Sequence, residues 1–158
     1  ITLSGDAFHT VGNFEVPIGT SLAEVADAAG GFKKEPQKLI AGGPMMGTAL
    51  AALDVPTLKT TSALLAFTDD SAARSAETAC IRCGRCVTAC PAFLVPQQLV
   101  RAVRKGDMDR FQTLGGMECI SCGSCSYICP AHIRLTQRFV TAKAVVAADR
   151  KREKEGKK

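Results

Sequence analysis

Cys80-Ile81-Arg82-Cys83-Gly84-Arg85-Cys86-Val87-Thr88-Ala89-Cys90-Pro91 returns, with every cysteine in step, as Cys119-Ile120-Ser121-Cys122-Gly123-Ser124-Cys125-Ser126-Tyr127-Ile128-Cys129-Pro130. Three cysteines at i, i+3 and i+6 can wrap one face of a cubane, and the glycine after the second lets the backbone come close to cluster sulfur. Gly84 and Gly123 hold that place. The fourth cysteine of each run sits too far along to close the same cluster, and in two-cluster ferredoxins it ligates the other one. The expected ligand sets are therefore Cys80, Cys83, Cys86 and Cys129 for one [4Fe-4S] cluster, and Cys119, Cys122, Cys125 and Cys90 for a second. Pro91 and Pro130, which lack an N–H, end each run and turn the chain away.

The competing readings of such a pattern are structural zinc and disulfides. Zinc sites favour paired C-x2-C units separated by a longer gap, whereas a doubled C-x2-C-x2-C-x3-C-P run is specific to iron-sulfur binding. Disulfides suit cysteines spread across a framework, and here all eight lie between Cys80 and Cys129. Outer-sphere electron transfer needs no general base and no nucleophile, and neither a serine-histidine-acid order nor a Walker A element is present. The chain is thus expected to act as an electron relay without catalytic residues. Arg82 and Arg85 read either as surface charge or as groups that raise the potential of their cluster. His132 reads as part of a helix start, and Met45 and Met46 as packed filler.

Outward from the repeat, 158 residues at 46% hydrophobic suffice for two small cores. Residues 1–79 carry net −4 and residues 80–158 net +9. A basic half ordinarily suggests nucleic acid or an anionic membrane, but eight thiolates around two 2+ cores add about four negative charges, so no nucleic-acid partner is expected. No run approaches the roughly 18 apolar residues that cross a bilayer, and Ile1 to Gly5 do not begin a secretory signal. The chain opens on strand-like Ile1-Thr2-Leu3-Ser4 without an initiator methionine and is expected to be a piece of a longer protein.

The first segment reads as α+β. Strands are expected at Ile1 to Ser4, Asn13 to Val16, Lys38 to Ala41 and Ser62 to Phe67. A helix follows Ser21, whose pairing with Glu24 forms a capping box, and ends at Gly30-Gly31. Met45 to Leu53 reads as a loop. Residues 1–68 form the first domain, small polar residues 69–79 a linker, 80–149 the second domain and 150–158 a charged, disordered tail. Between the cysteine runs, Pro96 opens one helix, ended by Gly106, and Asp107 caps another; Ile133 to Asp149 forms a third on the stripe Leu135, Phe139, Ala142 and Val146.

Gly12-Asn13-Phe14-Glu15-Val16-Pro17-Ile18-Gly19-Thr20, Leu39-Ile40-Ala41-Gly42-Gly43-Pro44-Met45-Met46-Gly47 and the two cysteine runs together resemble the C subunit of the Rnf electron-transport complex, an ion-translocating ferredoxin:NAD oxidoreductase. The resemblance implies a small β-grasp domain of the soluble-ligand-binding type followed by an α-helical ferredoxin domain with two [4Fe-4S] clusters. It also implies FMN and NADH sites in an upstream domain outside this sequence, so that the chain itself only relays electrons. Implied partners are the other subunits of the membrane complex and a ferredoxin-type donor. The implied location is peripheral, on the cytoplasmic face of the cell inner membrane. A cobalamin reductase subunit has a similar domain order. A third reading makes the β-grasp half a binding module and the metal structural.

Overall fold

The computed structural model of the chain describes residues 1–156. They form two compact units, Ile1–Ser75 and Ala76–Lys158, each with its own core.

The first unit is a mixed five-stranded sheet carrying one helix. Its strands are β1 (Thr2–Ser4), β2 (Gly12–Asn13), β3 (Lys38–Ala41), β4 (Thr48–Leu50) and β5 (Ala63–Phe67), in the spatial order β2-β1-β5-β3-β4. β1 and β5 run parallel, with Leu3 opposite Leu64; the other pairs are antiparallel. The central β5 reads Ala-Leu-Leu-Ala-Phe without alternation, as a strand covered on both faces does, and Leu64, Leu65 and Ala66 are buried.

Helix α1 (Leu22–Ala28) starts where the sequence says it should. Ser21 Oγ accepts the Glu24 N–H at 3.2 Å, and the Glu24 carboxylate accepts the Ser21 N–H at 2.9 Å. Its end is a Schellman turn, in which Gly31 donates to Ala26 O and Gly30 to Asp27 O. Leu22, Val25 and Ala26 face Leu3, Phe8, Leu64 and Ala66 in the core. Gly5 holds φ +114°, and a Cβ there would lie 2.0 Å from Ala66 O, so only glycine fits this crossing.

Four expectations differ here. Of the strand expected at Asn13 to Val16 only Asn13 is strand, because β2 pairs with β1 over just two residues, Gly12 and Asn13. Residues 48–50 form β4 within the expected loop, as an exposed edge strand paired to β3. Met45 and Met46 are 45% and 67% exposed, so they are not filler. Residues 71–74 within the expected linker form a short helix α2 (Ser71–Arg74), whose first turn is capped by Asp70 and whose approach is tied down by a Lys38–Asp70 ion pair of 2.8 Å.

The second unit is helical: α3 (Arg85–Thr88), α4 (Pro96–Arg104), α5 (Met108–Thr113), a 3-10 turn Gly116–Glu118, α6 (Ser124–Tyr127) and α7 (Leu135–Glu155). Pro96 occupies the first turn of α4, where a missing N–H costs nothing, and Asp107 accepts the Arg110 N–H at 2.8 Å to cap α5. Leu99, Phe111, Ile133, Leu135, Phe139 and Val146 meet in one core, with the Phe111 and Phe139 ring centroids 6.2 Å apart. α7 runs past Asp149 to Glu155, into the expected disordered tail. Exposed pairs Asp149–Arg152 and Lys151–Glu155 lie at helical spacing there, in a stretch free of glycine and proline. The last two tail residues lie outside the described residues.

Candidate functional site

The two cysteine runs fold alike. α3 and α6 are single turns that begin at Gly84 and Gly123, both left-handed at φ +77° and +86°. Arg82 and Ser121 stand at φ +57° and +56°, and Phe93 and His132, three residues past each fourth cysteine, at +53° and +50°. Side chains with a Cβ rarely adopt this region, so a matched set in both halves marks a backbone shaped around a common object. The hydrogen bonds match as well: Ala89 donates to Arg85 O as Ile128 does to Ser124 O, and Phe93 to Cys90 O as His132 does to Cys129 O.

Each repeat then leads into a long helix, α4 in the first and α7 in the second. Their opening turns lie against the cysteines: Gln97 donates its N–H to the Cys86 sulfur, and at the matching position Thr136 Oγ1 lies 3.6 Å from Cys125 Sγ. Thr136 is fixed in turn by its own N–H to Ser126 Oγ at 2.8 Å and by the Ser126 hydroxyl, which donates to Thr136 Oγ1 at 2.9 Å.

The eight sulfurs fall into two groups. Cys80, Cys83, Cys86 and Cys129 line one hollow of about 420 Å³, whose apolar walls include Val100, Ile133 and Leu135. Cys119, Cys122, Cys125 and Cys90 line another of about 350 Å³, walled by Leu94, Leu99 and Phe139. In both, the fourth cysteine comes from the other repeat. Among the described residues no three His, Cys, Asp or Glu converge as closely as one ion requires. Donor type, spacing and apolar walls thus fit [4Fe-4S] groups.

The quartets differ in exposure. Cys80 and Cys83 are exposed, whereas Cys125 is buried and Cys90, Cys119 and Cys122 are half-buried. Burial pushes the Cys86 thiol up, opposed by the Gln97 N–H, and pushes Cys125 up, opposed by the Thr136 hydroxyl. Hydrogen bonding to Ser124, whose Oγ is 3.4 Å from the sulfur, holds Cys122 below its ordinary value. Leu94 donates its N–H to Cys90 Sγ at 3.4 Å. Metal ligation needs thiolates, so each donor that favours the ionised sulfur favours a bound cluster.

Several of these residues escaped the sequence reading. Glu77, assigned to a linker, accepts the Arg134 N–H at 2.9 Å and bonds to Arg138 at 2.8 Å and Arg104 at 3.3 Å, which fastens the entry of this unit to α4 and α7. Thr78 adds a backbone bond to Ala131 O. His132 lies in the turn before α7 instead of opening the helix. The available signal was that the repeat outlasts its cysteines: Cys90-Pro91-Ala92 and Cys129-Pro130-Ala131 match, and apolar Leu94 and Ile133 follow at the same offset.

Comparison with known proteins agrees with this geometry. The family described as "4Fe-4S dicluster domain" matches residues 73–130, and "SLBB domain" matches residues 1–49. Over 153 residues, 97% of its length, the chain is 41% identical to the C subunit of the ion-translocating oxidoreductase complex of Rhodobacter capsulatus. It is 47% identical over 98 residues, 62% of its length, to the C subunit of the proton-translocating ferredoxin:NAD(+) oxidoreductase complex of Clostridium ljungdahlii. Over 118 residues, 75% of its length, it is 40% identical to the Na(+)-translocating counterpart of Acetobacterium woodii. It spans 30%, 21% and 27% of these three relatives, respectively.

Proposed function

The chain belongs to the family of C subunits of the Rnf-type ion-translocating oxidoreductase complexes, and on that footing we propose that it relays electrons through two [4Fe-4S] clusters within such a complex. The observation that carries this reading is the partition of eight cysteines into two quartets, each completed from the other repeat. Cys80, Cys83, Cys86 and Cys129 would hold one cluster, and Cys90, Cys119, Cys122 and Cys125 the other. Bound there, such clusters supply one-electron outer-sphere transfer with no bond made or broken. The protein's own part is to fix the thiolates, keep water from them with Val100, Leu99 and Phe139, and donate hydrogen bonds to sulfur from Gln97, Leu94 and Thr136.

The first unit is read as a β-grasp domain, because one helix covers a mixed sheet whose parallel pair β1 and β5 is central. In the complex it would hold the relay in register with neighbouring subunits. No helix among the described residues is long and apolar enough to cross a membrane. Family membership supports the reading that this part of the complex sits peripherally, at the cytoplasmic face of the inner membrane.

Anaerobic reconstitution with iron and sulfide tests the reading. About eight irons and two interacting S = 1/2 signals after dithionite are expected. Bound zinc without an EPR signal would overturn it.

A further inference from the structure

The two repeats match in backbone but not in the side chains around their third cysteines. Cys125 is followed by Ser126, and the opening turn of α7 brings up Thr136; the first repeat has Val87 and Gln97 at those places. Ser121 and Ser124 likewise stand where the first repeat has Arg82 and Arg85. Thr136 is 8% exposed and lines the second hollow, and Cys125 is the buried member of its quartet.

The protons in this corner can be counted. The Thr136 N–H goes to Ser126 Oγ at 2.8 Å, and the Ser126 hydroxyl proton goes to Thr136 Oγ1 at 2.9 Å. Thr136 Oγ1 thus already accepts a bond, and its own proton is left for Cys125 Sγ at 3.6 Å. A cysteine that ligates metal is a thiolate with no proton to give, so the donor across this contact is the threonine. The result is a directed chain, from backbone N–H to Ser126 to Thr136 to sulfur, in which each donor polarises the next. In the first repeat Cys86 takes the Gln97 N–H directly, and Val87 has no hydroxyl to add.

We propose that Ser126 and Thr136 set the reduction potential of the second cluster, raising it so that a buried centre stays a usable step of the relay. The proposal rests on the reading of Cys90, Cys119, Cys122 and Cys125 as ligands of that cluster. Reduction adds one electron to a 2+ core that, with its four thiolates, already carries about two net negative charges. At the first quartet solvent reaches Cys80 and Cys83, and exposed Arg82 lines the hollow. At the second, Leu99 and Phe139 wall the site beside Cys125, so water is kept from the added charge and burial disfavours it. A hydroxyl already aimed at sulfur stabilises that charge instead, because a hydrogen bond strengthens as its acceptor becomes more negative. Removing the hydroxyl therefore penalises the reduced state more than the oxidised one, and the potential falls.

A purely structural role for the pair would be to cap α7, since Ser126 accepts an N–H from the first turn of that helix. Thr136→Val separates the two roles: it keeps this bond and the branched shape and removes only the hydroxyl.

The test is an EPR-monitored redox titration of the chain loaded with iron and sulfide. Dithionite supplies the electrons, and Cys129→Ser identifies which signal belongs to the second cluster. For Thr136→Val the one-electron reduction constant of that cluster is expected to fall about 10-fold, equal to about 59 mV. The first cluster should shift less than about twofold, with iron unchanged at about eight per chain. Thr136→Ser, which restores the hydroxyl, should lie within about twofold of the unsubstituted chain, and Ser126→Ala, which removes the polarising donor, about threefold below it. An unshifted second potential in Thr136→Val would overturn the proposal, as would an equal shift of both clusters or a Thr136→Ser chain that behaves like Thr136→Val. Loss of the second cluster's iron from Thr136→Val would do the same, marking the hydroxyl as structural. An unsubstituted chain that takes up no iron overturns the cluster reading and this proposal together; one that loads fully but titrates regardless of Thr136 overturns the potential-setting role alone.

Discussion

Glu77 shows how much one side chain can organise. Its partners lie 27, 57 and 61 residues away in sequence, which is why a small polar stretch read as linker concealed it. The Arg134 N–H is the largest influence holding its carboxyl below the ordinary 4.5; burial opposes it and the Arg138 guanidinium reinforces it. A depressed folded value means that its contribution is fully present above about pH 4.5 and is lost as pH falls through the folded value. Glu77→Gln is expected to lower stability at pH 7 by about 1.5–3 kcal/mol, a gap that narrows in acid, read from urea unfolding at several pH values. Glycines separate by the same kind of argument. Gly5→Ala drives a Cβ into Ala66 O and should cost more than about 2 kcal/mol, whereas Gly84→Ala meets no protein atom within 4 Å and in the iron-free chain should cost about 1–2 kcal/mol from backbone strain. The repeat made Gly84 legible. Nothing local to Gly5 betrays a strand sixty residues on.

Among elements, those with their own start and stop signals were readable. The Ser21/Glu24 box, Pro96 and Asp107 each open a helix where expected, because caps and first-turn prolines act through neighbours in sequence. β4 was not readable: Thr48–Leu50 is short and mostly exposed, so it lacks the alternation that marks a half-buried strand, and only pairing with β3 makes it one. The stripe Leu135, Phe139, Ala142 and Val146 was visible at helical spacing and is the buried face of α7. Phe139 touches both the Phe111 ring and the second hollow. Phe139→Ala should therefore lower stability by about 3–5 kcal/mol in denaturant unfolding and also loosen iron held by Cys119, Cys122 and Cys125. Val100, its counterpart in the first repeat, lines the other hollow, and Val100→Ala should release iron from that side first on titration with a chelator.

At the scale of the whole molecule, the sequence divided into a cysteine-free α+β half and a helical cysteine half, and the compact units meet in sequence between Ser75 and Ala76. The exact boundary was hidden because Glu77 and Thr78 are drawn into the second unit by bonds to the Arg134 N–H and Ala131 O, contacts that composition does not record. The exchange of fourth cysteines gives a sharp expectation. Cys129→Ser, although it lies in the second repeat, should remove about half the iron and the EPR signal of the cluster bound by Cys80, Cys83 and Cys86, leaving the other. The same exchange sets a timetable for biosynthesis. A ribosome that has released the chain as far as Cys125 has delivered one complete quartet, yet the first three thiols to emerge still wait for Cys129. With the ligand sets proposed above, the site begun earliest would be finished last, and Cys80, Cys83 and Cys86 would stay open to oxidants until Cys129 has left the ribosome, so iron delivery to the amino-terminal run would have to wait for the second run.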